Sequence, residues 1–139
     1  MQYIVEIKQI LAQARQKSYQ AVNSAMVEAY WLIGKRIVEE EQNGKERADY
    51  GKEIIKNISE EMTREFGKGF SKRTIWEIRQ FYTTFPDFSI VRTLSAQLSW
   101  SHFQRIAKVQ NEQARIYYLK EAAANNWSVR TLDRNISTL

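Results

Sequence analysis

The residues of this chain best placed to do chemistry lie between Lys68 and Gln80, and that chemistry is recognition. Lys68, Lys72, Arg73, Trp76, Arg79 and Gln80 fall within a short stretch that opens with Gly67-Lys68-Gly69-Phe70-Ser71. Arginine can donate two hydrogen bonds to guanine, glutamine can pair with adenine, and flanking lysine or arginine can hold phosphates. His102 is the chain's one histidine, and there is no cysteine. That excludes disulfides, thiolate zinc sites, cysteine nucleophiles and paired-histidine metal sites. Pro86-Asp87 resembles the opening of a restriction-type nuclease motif, but no Asp/Glu-x-Lys follows it; Glu6-Ile7-Lys8 lies far upstream. Neither Glu39-Glu40-Glu41 nor Glu60-Glu61 has a metal-site pattern, and no glycine-rich phosphate loop follows a strand. No catalytic residue, metal or cofactor is therefore expected.

The charge supports a polyanionic partner. Residues 1–66 hold ten Lys/Arg against eleven Asp/Glu, whereas residues 67–139 hold eleven against five. The whole basic excess thus begins at the Gly67–Gly69 turn. A localised basic half suits nucleic acid, with DNA, duplex in form, as the expected partner. There is no signal-peptide pattern and no apolar run long enough for a membrane, so a cytoplasmic location without membrane contact is expected.

Helices must position these residues. With a single proline and five glycines, and with apolar residues recurring at steps of three and four, the chain reads as all-α. Ile4, Ile7, Leu11 and Ala14, then Val22, Met26, Ala29, Ile33 and Ile37, predict one long helix from Tyr3 to about Glu41, or two helices broken near Ser18, laying this stripe on a globular body. Strict heptads fail at Ser18, Glu28 and Lys35, which disfavours a long coiled coil. Gly34 within this helix marks a close approach of another helix. After a polar loop at Lys45–Asp49, a second helix runs from about Tyr50 to Phe66, burying Ile55, Ile58, Met62 and Phe66. The glycine turn follows, and Ser71 caps a third helix that Phe85-Pro86 closes.

On this third helix Ile75, Ile78, Tyr82 and Phe85 share the inner side, with Phe81 at its edge. Arg73, Trp76, Glu77 and Gln80 face outward, with Lys72 and Arg79 on the flanks. A short helix is expected around Ile90–Leu94, another from Ser99 or Ser101 through Val109, one over Asn111–Ala124, and a last one capped by Ser128. The predicted architecture is a multi-helix domain with a long N-terminal helix and a helix-turn-helix, or winged-helix-like, core at about residues 52–84. Arg73, Trp76 and Gln80 would face bases; Lys68, Lys72 and Arg79 would hold the backbone, with His102 and Arg105 as weaker contributors. His102 also has a structural reading, at a helix start beside a core-anchored Trp100.

In this order the chain resembles the N-terminal domain of the YhcG-like family. The matching residues are Tyr30-Trp31-x-Ile33-Gly34, Tyr50-Gly51, Phe66-Gly67-x-Gly69-Phe70-Ser71 and Arg79-x-Phe81-Tyr82. They continue with Leu98-Ser-Trp-Ser-His102, Arg115-x-Tyr117-Tyr118 and Trp127-Ser-Val-Arg130-x-Leu132. Family members typically continue into a restriction-like nuclease domain of the Pro-Asp…Asp/Glu-x-Lys class. This chain stops at Leu139, where that domain would be expected to begin. The resemblance implies the DNA-binding or assembly half of a nuclease system, itself non-catalytic, and it assigns no catalytic residue here. The alternative is a protein-interaction domain, whose long first helix pairs with another copy as a homo-oligomer or with a nuclease partner.

Overall fold

The computed structural model describes residues 1–44, 46 and 49–138. Among them are seven helices: α1 (Gln2–Asn43), α2 (Tyr50–Phe66), α3 (Lys72–Thr84), α4 (Phe88–Leu94), α5 (Trp100–Ala107), α6 (Glu112–Ala124) and α7 (Val129–Ser137). No strand occurs among the described residues, so the core is all-α and carries no β-wing. None of these helices is long and apolar enough to cross a membrane. The Lys45, Arg47 and Ala48 part of the expected polar loop lies outside the described residues.

The helix starts follow local chemistry. Ser71, Asp87, Ser99, Asn111 and Ser128 each accept a backbone N–H one turn or less into the helix that follows. These side chains satisfy donors that a helix start leaves without partners, each contributing about 1 kcal/mol. Gly67 and Gly69 adopt φ of 86° and 111°, a region a Cβ disfavours, and so turn the chain between α2 and α3.

At the centre of the fold is α3, buried on two sides. Ile75 and Ile78 join Ile37 and Ile54 in a cluster beneath α1 and α2. Phe81 and Phe85 join Trp31, Phe103, Ile106 and Leu132 in a larger one shared with the later helices. Phe81 is fully buried because α5 brings Trp100 and Phe103 against it, with ring centroids 5.1 Å away in each case. It therefore lies at the middle of the buried face, while Tyr82 is only half-buried.

Gly34 lets α1 and α3 meet. A Cβ built there would lie 2.5 Å from the Ile78 carbonyl oxygen and 2.8 Å from the Tyr82 Cβ. Close by, the Trp31 indole N–H donates to the Phe85 carbonyl at 2.7 Å, holding the end of α3 just before Pro86.

α1 is one unbroken helix of 42 residues, and only its C-terminal half is packed. Val27, Trp31, Gly34 and Ile37 are its buried residues. The first tertiary ties are at Asn23, whose amide donates to the carbonyls of Ser95 and Leu98, and at Ser24, which donates to Ser95. Residues 2–22, about 31 Å of helix, project beyond the body. The expected burial of Ile7, Leu11, Val22 and Met26 is thus corrected: all four are exposed. On α2 the buried apolar position is Ile54, one residue before the predicted stripe, and Phe66 is 62% exposed.

Candidate nucleic-acid interface

The outward face of α3 begins at the capped turn. Ser71 Oγ accepts the Thr74 N–H at 3.2 Å, which starts the helix and leaves Lys68, Lys72 and Arg73 exposed around its first turn. One turn on, Trp76 is 50% exposed, an unusual state for a large apolar ring. The Arg79 guanidinium lies 4.9 Å from the Trp76 ring centre, within cation–π range.

Arg79 is not a free cation. Its Nε and Nη2 donate to the two carboxylate oxygens of Glu41 on α1, at 2.7 and 2.9 Å, and both side chains are largely sheltered. This two-point pair holds the guanidinium beside the indole and orients Trp76 rather than leaving Arg79 open for a phosphate. Arg73, 80% exposed, donates to Glu77 at 3.2 Å. Glu77 also accepts from Gln104 at 2.9 Å, so its charge is partly satisfied inside the protein and ties α3 to α5.

Trp76 stands as a ridge between hollows. Toward α2 lies one of about 810 Å³ that brings Lys52, Lys56, Lys72 and Arg73 together with Asp49 and Glu53. Toward α5 lies a smaller one of about 170 Å³, bordered by Gln80, Gln104 and Lys108. Lys52, Lys56 and Lys108 are exposed, and sequence reasoning missed all three. Lys52 and Lys56, one turn apart on α2, carry a spacing signal for a shared face. Which way that face points depends on the packing of α2 against α3.

The α5 contribution differs from the expectation. His102 is buried at 7% exposure and both ring nitrogens are engaged. Nδ1 accepts the Ser99 N–H at 3.0 Å, while Nε2 lies 2.7 Å from the Trp127 carbonyl. A ring accepting at Nδ1 and donating from Nε2 is the neutral imidazole, serving as a cap and an α5-to-α7 brace. His102 is therefore removed from the interface set. Arg105 donates from Nε to both Asp133 oxygens at 3.1 Å, joining α5 to α7. Gln104 and Lys108, one turn apart, are the polar α5-side residues on the hollow beside α3. Among the described residues no group of three or more His, Asp or Glu is arranged to hold a metal ion.

The fold is an all-α body that presents a capped basic helix, and the chain's relatives define its family. It matches the DUF1016 N-terminal domain over residues 6–139 and belongs to that family. It is similar to "Putative nuclease YhcG" of Escherichia coli (strain K12), 33% identical over 154 residues that cover 90% of this chain and 41% of the relative. The chain thus spans about two fifths of that relative's length. No solved structure matches.

Proposed function

We propose that this domain is a DNA-binding module of a nuclease-associated protein, itself non-catalytic and acting in the cytoplasm. In this reading α2, the glycine turn and α3 act as a helix-turn-helix, and α3 enters a groove of duplex DNA. Arg73, Trp76 and Gln80 meet the bases. Lys68 and Lys72, joined by Lys52, Lys56 and Lys108, meet phosphates on either side. The observation that carries the reading is the half-exposed Trp76 beside Arg73, with exposed lysines from three parts of the chain around it. The name of the bacterial relative adds the nuclease association.

The test is fluorescence anisotropy with labelled duplex and single-stranded DNA across a salt series. Phosphate contacts make log affinity fall linearly with log salt, at a slope of about −0.9 per contact for duplex and about −0.7 for single strands. Lys72→Ala should weaken binding and reduce that slope by roughly one. Arg73→Ala should weaken binding most for the preferred sequence. Absence of binding at low salt would remove the DNA reading. A second reading, an assembly domain for a nuclease complex, is favoured by one observation: the outward stripe of α1 is apolar and exposed among the described residues.

A further inference from the structure

The buried residues Val27, Trp31 and Gly34 define the side of α1 that faces the body. At about 100° per residue, Ile7, Leu11, Ala14, Ser18 and Ala25 lie on the opposite side, roughly 180° around the helix. That outer side stays exposed along most of α1, with Ile7 at 61%, Leu11 at 53%, Val22 at 62% and Leu32 at 52%. From Ile4 to Leu32 it measures about 42 Å and takes in about a third of the circumference. A soluble helix does not carry such a stripe for solvation alone.

The order of side chains along the stripe says what covers it. Residues equally distant from the point between Ala21 and Val22 match in size: Leu11 with Leu32, and Ala14 with Ala29. Nearer the centre, Ser18 matches Ala25, and Ala21 meets Val22. Between Leu11 and Leu32 the stripe therefore reads much the same in both directions, small in the middle and large at both ends; beyond that stretch Ile7 falls opposite Arg36 and Ile4 opposite Glu39. A surface of that kind is complementary to itself across a twofold axis, the symmetry of an isologous dimer.

Charge selects the same arrangement. Glu6, Lys17, Glu28 and Lys35 lie along one flank of the stripe. An antiparallel pair centred between Ala21 and Val22 brings Lys17 within about a turn of the partner's Glu28, and Glu6 within about a turn of its Lys35. Each pairing occurs twice. Among the described residues Glu28 pairs loosely with Arg92, at 3.6 Å, and remains a third exposed. A parallel, in-register pair would instead place Lys8, Arg15 and Lys17 level with their own copies. The matched stretches, about 32 Å long on each copy, enclose about 800 Å² in total, below the size of stable interfaces, so the pair should be weak and depend on concentration.

We infer that the outer face of α1 binds a second copy of this chain, as an antiparallel helix pair with its twofold axis between Ala21 and Val22. The inference deepens the assembly reading and is independent of the DNA reading. Sedimentation equilibrium on the full chain, from low to high micromolar concentration, should show a monomer–dimer equilibrium. Lys17→Glu or Glu28→Lys alone should weaken it by about tenfold, and the two together should restore it. Circular dichroism checks that each variant stays helical.

Direction is tested with single cysteines, since the chain has none. Ala21→Cys should form an interchain disulfide under mild oxidation. Leu11→Cys should crosslink to a Leu32→Cys copy but not to itself. Self-crosslinking of Leu11→Cys as readily as of Ala21→Cys would mean a parallel pair and overturn the assignment. A chain that stays monomeric throughout the range would overturn self-pairing, leaving the stripe to a different protein and the DNA titration unaffected.

Discussion

Replacing Gly34 with alanine adds one methyl group at the closest point between α1 and α3. The new carbon would lie 2.5 Å from the Ile78 carbonyl oxygen and 2.8 Å from the Tyr82 Cβ. Neither neighbour can swing aside, because one is backbone and the other is the first carbon of its side chain. Restoring ordinary contact, at about 3.3–3.6 Å to the oxygen, moves the helices apart by up to ~1 Å. The Trp31–Tyr82 ring contact, with centroids 5.0 Å apart, sits in the same seam. Alanine gains up to ~1 kcal/mol over glycine in a helix interior, whereas forcing a packed seam open costs about 1–3 kcal/mol. With both contacts rigid the cost belongs at the upper end, so the net loss should be about 1–2 kcal/mol. Thermal unfolding followed by circular dichroism should show the midpoint falling by about 3–8 °C. Gly51 is the control: a Cβ there meets nothing nearer than a Glu41 carboxylate oxygen at 4.0 Å. Gly51→Ala should leave stability unchanged or raise it by up to ~1 kcal/mol. If Gly34→Ala proves as stable as the parent, the close approach is not what keeps glycine at this position.

Other expectations follow from the same contacts. Trp76→Ala should weaken duplex binding by about 1–2 kcal/mol through loss of the ring's apolar contact with base edges, with Trp76→Phe keeping much of it; equal affinities in anisotropy would make the ring a bystander. His102→Ala should lower stability by about 1–3 kcal/mol through loss of the cap and of the Trp127 brace, while the folded fraction binds DNA unchanged. Glu40 is held below the usual carboxylate range by the Tyr50 hydroxyl and then by Arg36, and Asp87 by the Ser89 hydroxyl. Depressed folded-state values mean that this stabilisation is complete above the ordinary carboxylate range and is lost as pH falls through the lowered values. Acid titration of the parent against Asp87→Asn should therefore diverge below about pH 4, with the parent losing more; parallel curves would count against the Asp87 cap.

What could be read from the residues was local. Ser71 and Ser128 locate the starts of α3 and α7, and Ser99 or Ser101 that of α5, because a cap acts on donors within one turn; Pro86 closes α3 because it restricts the residue before it. Gly34 was legible as a contact point, since a glycine in a long helix is costly without a close neighbour. Periodicity gives a face but not what the face meets. Ile4, Ile7 and Leu11 have the spacing of a buried stripe, yet the body packs on the other side of α1. Phe81 lay at the edge of a predicted face and became its centre when α5 closed over it. The candidate interface divides in the same way. Arg73 and Trp76 could be placed outward from α3 alone, whereas Lys52, Lys56 and Lys108 join them only once three helices are in position. Arg79 and His102 carried the right chemistry for DNA, but Glu41 and Trp127, distant in sequence, engage them.

The two faces of α1 give the DNA and pairing proposals a joint consequence that neither has alone. If copies pair along the outer stripe, each dimer carries two copies of α3 on one rigid beam, and duplex long enough to reach both should bind more tightly than duplex reaching one. The gain follows effective concentration rather than any new contact, and can reach about 10²–10⁴ when the geometry allows both to engage. Leu11→Glu places a charge in the stripe, well away from α3, on a residue already 53% exposed, so the fold should tolerate it. It should lower affinity for long duplex while leaving affinity for a short, single-site duplex unchanged. Anisotropy on the two lengths, with parent and variant compared at matched salt, separates the terms. An equal loss on both would mean that the substitution disturbs α3 itself. No loss on either would mean that pairing and DNA binding are uncoupled, with the second α3 out of reach of the same duplex.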